Sequence, residues 1–437
     1  MLKKIIKNLC PDFILDFYIE HLYESIDRTK KRIKYSKLIK ETALHYKEVE
    51  KIIQNRKTGK LRFASYVEYD ASFSAYGLIE LMLQQPNLYS AKIVVVPDIT
   101  RGNENLISQY KQTKKFFTER YGKENVLDGY DIENDKYLDL SDQFDIINLS
   151  NPYDEMVHEF HGVKYLSTKN VLPVYISYGC LTDKYCCNVT IPLLETSLFW
   201  KVFADNKYSV KDYKKYELSR GKNVSCTGYV KMDNIAKVIP EEKNKKTVII
   251  APHHTINNPA LPLSNFLNYY DFILELPSKY PDIQFVFRPH PLLYVNLVNE
   301  KFWTCEELEE YKRKIQEAGI IYSYGGNYFD TFVNSDAIIH DCSSFIMEYL
   351  FTGHPCCFVG NKNFKKIFSK LGKACLKNYY LAFSKEEILH FIDEVVINNN
   401  DYKKEIRNNF TEKHLKLNYP NVSKIILKDF DYLMANK

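Results

Sequence analysis

Short apolar runs alternate with helical patterns along most of the chain from residue 61 onward. Runs of strand length lie at 61–67, 92–97, 144–149 and 171–177, and then at 247–252, 284–287, 319–322, 337–339 and 356–359. Helical periodicity follows several of them, at 71–84, 264–276, 304–317 and 342–351. Strands that alternate with helices predict an α/β protein with parallel sheets.

A polar, charged segment at 240–246 interrupts this alternation and separates the strands into two series. After the second series, Ser384 and Glu387 form a capping-box pattern that begins another helix, and the remainder to residue 437 has helical character. We therefore expect two facing Rossmann-like domains, at 61–240 and 241–437, with a cleft between them and a helical tail on the second.

Residues 1–60 have a different pattern, that of a basic amphipathic helix. Apolar residues at 2, 5, 6 and 9 follow helical spacing, and seven lysines and arginines lie between 28 and 40. A helix of this kind can bind the surface of an anionic membrane. The alternative is a solvated helix that packs on the globular body, so the sequence leaves open whether residues 1–40 contact a membrane.

Composition and charge argue against several classes of protein. The net charge of +5 over 437 residues is small and gives no argument for nucleic-acid binding. The ten cysteines include no C-x-x-C pair and no histidine at zinc-ligand spacing, so we expect no metal site and a reduced, intracellular protein. No run approaches the roughly 18 apolar residues of a membrane span, and the N-terminus lacks the apolar core of a secretory signal. We expect a cytoplasmic location, at most peripheral on the inner face of the cell membrane.

Three strands of the second domain end in polar side chains suited to an anion. These side chains are His253 and His254, Arg288 and His290, and Asp341, Ser343 and Ser344. Because ligands of open parallel sheets bind at the carboxyl ends of strands, we expect them to share one site. Unpaired N–H groups at the start of the helix at 342–351, together with serine hydroxyls, would hold a diphosphate. The alternative is that Asp341 or Ser343 only caps that helix.

Two further roles need side chains near this site. Glu348 lies about one turn into the helix that follows Ser343, where its carboxylate would accept hydrogen bonds from ribose hydroxyls; the alternative is a solvated glutamate. A general base needs a pKa near the working pH, which histidine meets unshifted and a carboxylate meets when burial raises it. The candidates for the base are His253, His254, Glu68 and Asp70, although Asp70 could instead cap the helix at 71–84.

The motifs of the second domain resemble those of the CDP-glycerol glycerophosphotransferase family, which includes the teichoic acid primases and polymerases. That family carries a K-x-H-P turn and a T-D-Y-S-S element followed by an acidic residue. Here RPHP at 288–291 and HDCSSFIME at 340–348 correspond, with Arg288 in place of the lysine and Cys342 in place of the tyrosine. The family's histidine, aspartate, serines and acidic residue are matched by His290, Asp341, Ser343, Ser344 and Glu348. The segment TGYVKMD at 227–233 resembles the family's G-Y-P-R-x-D turn.

The resemblance implies a GT-B fold in which the domain at 61–240 binds the acceptor and the domain at 241–437 binds a nucleotide donor. The implied reaction moves glycerol phosphate or a similar polyol phosphate from a CDP donor such as CDP-glycerol to a glycan or polymer hydroxyl, with no metal and no cofactor. The donor diphosphate would be bound by Arg288, His290, Asp341, Ser343 and Ser344, and the ribose by Glu348. The resemblance therefore predicts a transferase of bacterial capsule or teichoic-acid-like polysaccharide synthesis.

The first domain departs from the family where its catalytic histidine is expected. The family's W-H-G-T-P-L-K corresponds here to ISYGCLT at 176–182, in which Tyr178 occupies the histidine's position. The family's A-P-T-W-R corresponds to APHHT at 251–255. These departures leave two alternatives open. One is a GT-B glycosyltransferase that uses a CMP-, UDP- or GDP-linked sugar, and the other is a non-catalytic nucleotide-binding member of a polysaccharide assembly complex.

Overall fold

The computed structural model describes residues 24–56, 59–259, 261–325, 327–361 and 364–434. The strands are β1 (Leu61–Val67), β2 (Tyr89–Val95), β3 (Val126–Asp128), β4 (Tyr130–Asp131), β5 (Lys136–Tyr137), β6 (Ile146–Leu149), β7 (Leu172–Ile176), β8 (Lys201–Ala204), β9 (Val224–Cys226), β10 (Lys246–Ala251), β11 (Ile283–Phe287), β12 (Ile321–Tyr322), β13 (Ala337–His340), β14 (Cys356–Val359) and β15 (Tyr380–Ala382).

The α-helices are α1 (Glu24–Asn55), α2 (Tyr76–Leu83), α3 (Asn103–Tyr121), α4 (Val163–Leu166), α5 (Leu194–Leu198), α6 (Lys207–Tyr216), α7 (Phe266–Lys279), α8 (Leu293–Asn299), α9 (Cys305–Glu317), α10 (Phe329–Val333), α11 (Phe345–Glu348), α12 (Phe364–Ile367), α13 (Lys370–Leu376), α14 (Lys385–His390), α15 (Lys404–His414) and α16 (Val422–Asp431). A 3₁₀ helix at Val230–Lys237 precedes the second series of strands, and a π-helical segment at Phe391–Ile397 continues α14.

Two parallel sheets form the body of the protein. The first has the strand order β3-β2-β1-β6-β7-β8-β9, and the second has the order β12-β11-β10-β13-β14-β15. In each sheet the chain starts at a central strand, runs outward on one side and then returns to run outward on the other. This is the doubly wound order of Rossmann-like sheets. The predicted fold class, α/β with two Rossmann-like domains, is confirmed.

Both faces of each sheet are buried, which explains why the strands read as continuous apolar runs. In β1, Phe63 and Val67 belong to one core and Ala64 and Tyr66 to the other, because successive side chains of a strand point to opposite faces. The second sheet is likewise covered on both sides by separate cores. The helices that connect the strands supply the covering side chains.

Two helices from distant parts of the chain pack against the first sheet. The long helix α1 buries Tyr46, Val49 and Ile53 in its core. Helix α16 belongs to the same core, where the ring centroids of Phe430 and Phe63 lie 6.1 Å apart. The first sheet is therefore covered partly by the last helix of the described chain.

The position of α16 differs from the expected helical tail of the second domain. Val422, Ile426 and Phe430 follow helical spacing and form an apolar stripe that is buried against the first sheet. At the start of the helix, the Asp233 carboxylate accepts the N–H groups of Val422 and Ser423 at 3.2 and 2.8 Å. The sequence pattern showed the stripe but could not show which sheet receives it. The boundary near residue 240 itself stays a prediction.

The basic segment at 1–40 falls partly in α1, whereas residues 1–23 lie outside the described residues. The Arg32 guanidinium donates to the backbone carbonyls of Lys215 (2.8 Å) and Glu217 (2.7 Å), so this part of α1 packs on the globular body. None of the helices that the structure describes is long and apolar enough to cross a membrane. Binding of this segment to a membrane surface stays a prediction.

Candidate functional site

The carboxyl ends of the two sheets meet where the segment after β7 contacts the segment after β13. The Thr182 hydroxyl donates to the Ser343 carbonyl (2.8 Å), and the Cys180 thiol lies 3.3 Å from the Ser344 carbonyl. Ser369, which precedes α13, donates its N–H to the Thr182 carbonyl at 2.9 Å. Strand ends from both sheets therefore face each other across this junction.

Asp341 fixes the loop that carries the first two histidines. Its two carboxylate oxygens accept the N–H of His253 and the N–H of Asn265, each at 2.6 Å. Burial raises the pKa of Asp341 to about 7, and these two hydrogen bonds oppose the rise. Because the backbone already occupies both oxygens, Asp341 positions the loop after β10, and its carboxylate would repel a diphosphate. The structure thus gives Asp341 a supporting role, and its contact with the donor stays a prediction.

His253, His254 and His290 form a cluster at the ends of β10 and β11. Their ring centroids are separated by 4.5 Å for His253 and His254, 4.1 Å for His254 and His290, and 5.2 Å for His253 and His290. One ring nitrogen from each residue lies within 4.8 Å of the others. The structure therefore brings together the histidines that the strand-end rule placed in one site.

The neighbours of the three rings determine which nitrogen carries the proton. Nδ1 of His253 and Nδ1 of His290 each accept the backbone N–H of the residue two positions later, at 3.3 and 3.1 Å. Nδ1 of His254 lies 3.1 Å from the side-chain amide nitrogen of Asn296, which also donates to the His254 carbonyl at 3.0 Å. A neutral imidazole that accepts at Nδ1 carries its proton on Nε2. The rings of His254 and His290 therefore present Nε2–H donors, and His253 does so when the Thr255 hydroxyl, 2.8 Å from its Nδ1, donates to that nitrogen.

Burial keeps these imidazoles neutral. It lowers the pKa of His254 to about 4. Burial and the neighbouring His254 lower the pKa of His290 to about 3, and burial together with nearby histidines holds the pKa of His253 well below its usual value. A neutral ring with its proton on Nε2 can donate to an oxyanion but cannot remove a proton at that nitrogen. The geometry therefore supports anion binding and weakens the prediction that His253 or His254 is the general base.

The same three rings have the composition of a zinc site, because three histidines hold zinc in some catalytic sites. A metal would need the Nε2 lone pair of each ring, so each Nδ1 would have to carry the proton. At His254 and His290 that proton would face an N–H group of the protein, and the hydrogen bonds from Asn296 and from the Leu292 backbone would be lost. At His253 the Thr255 hydroxyl could accept it. These hydrogen bonds favour an anion over a cation in this cluster.

Arg288 places a buried cation at the end of β11, two residues before His290. Its Nη1 donates to the Ser323 hydroxyl (2.7 Å), and its Nη2 donates to the Gly325 carbonyl (2.5 Å). The guanidinium lies 5.4 Å from the ring centroid of Tyr328, and the residue is 7% exposed. None of these partners carries a full negative charge, although burying an uncompensated cation is unfavourable. An anionic ligand would supply the compensating charge.

Glu348 lies in the contact between the two halves of the protein. The residue is 1% exposed, and its carboxylate oxygens accept the hydroxyls of Tyr229 (2.7 Å) and Tyr328 (2.5 Å). Nζ of Lys231 lies 3.7 Å from the same carboxylate. The alternative of a solvated glutamate is therefore wrong. Ribose binding by Glu348 stays a prediction, and it would require the sugar to compete with these partners.

Ser343 and Ser344 precede a helix that is shorter than predicted. The α-helix α11 has four residues and continues as a 3₁₀ turn to Thr352. Ser344 is the N-cap residue, but its side chain makes no capping hydrogen bond. Burial raises the pKa of Asp183, and a hydrogen bond from Ser343 opposes this rise, so the Ser343 hydroxyl faces the first half. Of the two serines, Ser344 is the better candidate for a phosphate contact.

The carboxylate candidates for the base lie on the first sheet, just after β1. Asp70 begins a 3₁₀ turn, and burial raises its pKa. Asp70 does not cap the following α-helix, because α2 begins only at Tyr76. Glu68 is 4% exposed and accepts a hydrogen bond from the Ser150 hydroxyl, and burial raises its pKa to about 7. These carboxylates and the histidines belong to different sheets, so only a ligand between the sheets would meet both.

Several side chains that organise the site gave no signal in the sequence pattern. Asn296 in α8 orients His254, and Tyr328 links Arg288 to Glu348. Polar and aromatic residues of helices and loops are too common for such roles to stand out. The family resemblance did single out the turn at 227–233, which supplies Tyr229 and Lys231.

Comparisons with known proteins give structural similarity only. No protein-family model and no curated protein matches the chain. The structure of the wall teichoic acid polymerase TagF is 12% identical, covers 94% of this chain and 99% of its own, and has a TM-score of 0.53. UDP-GlcNAc 2-epimerase from Neisseria meningitidis bound to UDP-GlcNAc is 16% identical over 85% of this chain and 99% of its own, with a TM-score of 0.51. The S. aureus MnaA–UDP structure is 14% identical over 85% and 96%, with a TM-score of 0.52.

The fold is GT-B. In this GT-B fold the second sheet carries the histidine cluster and Arg288 at its carboxyl edge, and the first sheet carries Glu68 and Asp70 at its own. The identities are low, so the similarity extends to the architecture and leaves the ligand to be argued from the residues of this chain.

Proposed function

We propose that the protein is a transferase of bacterial cell-surface polysaccharide synthesis, of the capsule or teichoic-acid type. It moves glycerol phosphate or a similar polyol phosphate from a CDP donor to a glycan or polymer hydroxyl, without a metal or a cofactor. It acts in the cytoplasm, peripherally on the inner face of the membrane through residues 1–40. The acceptor lies against the first sheet and the nucleotide donor against the second.

The observation that carries this proposal is the set of donors at the carboxyl edge of the second sheet. His254 and His290 present Nε2–H groups there, His253 lies beside them, and Arg288 adds a cation whose described partners are all uncharged. Such a set matches the oxygens of a diphosphate, which accept hydrogen bonds and carry negative charge. The TagF structure, which shares the fold, is that of a wall teichoic acid polymerase.

In the proposed reaction the acceptor hydroxyl attacks the phosphorus of the polyol phosphate. The bond from that phosphorus to the bridging oxygen breaks, and CMP leaves with the electron pair. The donors of the second sheet stabilise the charge that develops on the phosphate oxygens. The hydroxyl proton passes to a carboxylate of the first sheet, Asp70 or Glu68, whose pKa values burial raises towards neutrality.

A second candidate is sugar transfer from a nucleotide sugar, in which attack occurs at carbon. Two structures with this fold contain UDP or UDP-GlcNAc, which supports a nucleotide sugar as donor. The same diphosphate site would serve either reaction. The two forms are separated by incubating the purified protein with CDP-glycerol and, in parallel, with CMP-, UDP- and GDP-linked sugars. Absence of CMP release from CDP-glycerol with every acceptor tested would eliminate the phosphotransferase form.

The donor role of the histidines is tested with two substitutions at one position. His290→Ala removes the Nε2–H, whereas His290→Gln places an amide N–H near the same position. We expect Ala to raise the Kd for CDP at least tenfold, about 1.4 kcal/mol, and Gln to retain much of the affinity. The exposed His390→Ala serves as control and should bind CDP like the wild type.

Calorimetric titration with CDP measures these affinities directly. A general base or a metal ligand would be lost equally in the Ala and Gln variants, so equal loss of activity with unchanged CDP binding would contradict the donor role. Activity that EDTA abolishes and zinc restores would likewise overturn the anion interpretation of the cluster.

A further inference from the structure

A surface cavity lies between α1 and the segments that precede β8 and β9. Its volume is about 570 Å³, within the range of small-molecule sites, and it opens at the surface. None of the three clustered histidines lines it. The cavity is therefore separate from the donor site.

Positive charge dominates the lining of this cavity. Five cationic side chains contribute to it, three from α1 and two from the turn before β9: Arg32, Lys40, Lys47, Arg220 and Lys222. Glu50 is the carboxylate among the lining residues that the structure describes. Its Oε1 already accepts the indole N–H of Trp200 (2.7 Å) and the hydroxyl of Tyr432 (2.8 Å). The local charge is thus strongly positive.

The cations of the cavity differ from three other lysines of α1. Lys31, Lys37 and Lys51 lie outside the cavity, and each pairs with a carboxylate on the same helix. Within the described residues, no ion pair involves a cation of the cavity. Cations collected around one space raise the local concentration of anions.

Arg32 is held in place before any ligand binds. Its Nη2 donates to the carbonyls of Lys215 and Glu217 at 2.8 and 2.7 Å, and its Nε donates to the Glu217 carbonyl at 3.2 Å. Burial lowers the pKa of Arg32, the positive charges of Arg220 and Arg28 lower it further, and the nearby Glu217 carboxylate opposes this shift. The guanidinium is therefore both fixed and close to other cations, a situation that an anion would relieve.

The turn that carries Arg220 has a specific backbone conformation. Arg220 has a φ of 61°, in the left-handed region that a residue with a side chain rarely adopts, and Gly221 follows with a φ of 70°. The Glu217 carboxylate accepts the N–H of Gly221 at 2.6 Å and the hydroxyl of Ser219 at 2.7 Å, which holds the turn closed. This conformation places the Arg220 side chain on the cavity, opposite α1.

Apolar and aromatic side chains complete the lining, among them Phe199, Trp200 and Tyr46. A cation-rich rim over an aromatic floor suits a ligand with an anionic head and a carbon framework. We propose that this cavity binds a phosphate-bearing group of that kind. The group belongs either to a lipid headgroup or to a soluble polyol phosphate, since both have the same chemistry.

The test compares two triple variants with equal loss of charge on exposed cationic side chains outside residues 1–40. The cavity variant is Lys47→Gln, Arg220→Gln and Lys222→Gln, and the control variant is Lys51→Gln, Lys111→Gln and Lys115→Gln, which lie outside the cavity. The soluble arm titrates glycerol 3-phosphate and inorganic phosphate by calorimetry. The lipid arm measures flotation with phosphatidylcholine vesicles that contain or lack phosphatidylglycerol. Both arms use the full chain with saturating CDP, so that the donor site does not contribute.

We expect the wild type and the control variant to bind one of these probes, and the cavity variant to bind it at least tenfold more weakly. Loss confined to vesicles with phosphatidylglycerol identifies a lipid headgroup, and loss of glycerol 3-phosphate binding identifies a soluble ligand. Equal weakening of both variants would overturn the proposal, because diffuse surface charge would then explain binding. Failure of the wild type to bind any probe at 150 mM salt would also overturn it. Neither result depends on turnover at the donor site.

Discussion

The buried carboxylate of Glu348 joins the two halves of this GT-B fold, so replacing it tests how strongly they are held together. It accepts hydroxyls from Tyr229 in the first half and Tyr328 in the second, and it lies 3.7 Å from Nζ of Lys231. We consider Glu348→Gln, which keeps the shape of the side chain but removes the charge and one acceptor oxygen. The amide nitrogen would then face one hydroxyl or the ammonium group.

The size of the effect follows from these contacts. A hydrogen bond to a charged group contributes about 1.5–3 kcal/mol, and the glutamine loses roughly one of the two. Lys231, whose side chain is 11% exposed, also loses its carboxylate partner. Breaking a fully buried ion pair costs about 3–5 kcal/mol, and this cost is an upper bound because the substitution removes only part of the contacts. We therefore expect Glu348→Gln to lower the free energy of unfolding by about 2–4 kcal/mol in total.

Two tryptophans make the assay specific for each half, because Trp200 lies in the first half and Trp303 in the second. Guanidinium unfolding of Glu348→Gln is followed by fluorescence in Trp200→Phe and Trp303→Phe backgrounds. Both tryptophans should report a lower midpoint, and the two transitions should separate. The control, Glu309→Gln, removes an exposed carboxylate and should change stability by less than about 0.5 kcal/mol. A Glu348→Gln protein as stable as this control, but with CDP affinity reduced tenfold, would refute the junction role and support ribose binding.

Two further predictions concern the junction and the histidine cluster. Gly372→Ala should destabilise the protein by more than about 2 kcal/mol, because a Cβ there would lie 2.1 Å from the Thr182 carbonyl oxygen. Gly179→Ala, where a Cβ meets nothing within 4 Å, is the matched control. Equal melting temperatures of the two variants would contradict the tight contact at Gly372. The folded-state pKa of His290, about 3, lies below its unfolded value, so His290 stabilises the fold above pH 6.5 and this stability is lost as pH falls. Relative to His290→Gln, the free energy of unfolding of the wild type, measured by urea titration, should therefore fall by roughly 1–2 kcal/mol between pH 6.5 and 5. If stability depended on pH equally in the two proteins, the ring would not be buried as a neutral group.

Buried parallel strands are the part of the fold that the sequence predicts well, because burial on both faces produces an unbroken apolar run. The predicted run at 356–359 coincides with β14, and those at 61–67 and 171–177 coincide with β1 and β7 within a residue. The short strands β3, β8, β9 and β15 were missed, since three or four residues at or near the side of a sheet carry little pattern. Helix α2 begins five residues later than predicted because a 3₁₀ turn and a loop precede it.

The site was predictable only in part, for a different reason. Strand ends can be located from sequence, so the meeting of His253, His254 and His290 followed from the rule for parallel sheets. The protonation of those rings depends on neighbours such as Asn296, which the pattern does not connect to them. The same holds for Asp341, whose role changes once both oxygens are seen to bind backbone N–H groups. The sequence thus predicted that these residues lie close together, whereas their protonation and their roles follow only from the contacts in the structure.

The return of α16 to the first sheet ties early and late parts of the chain into one cooperative unit. Phe63 in β1 cannot be fully covered until Phe430 has been synthesised, about 370 residues later. On the ribosome the amino-terminal sheet would therefore remain incomplete while the carboxyl-terminal sheet emerges and closes. Such long-range closure slows folding and leaves apolar surface open to chaperones during translation. It also means that an isolated fragment ending near residue 240 would expose that surface and aggregate.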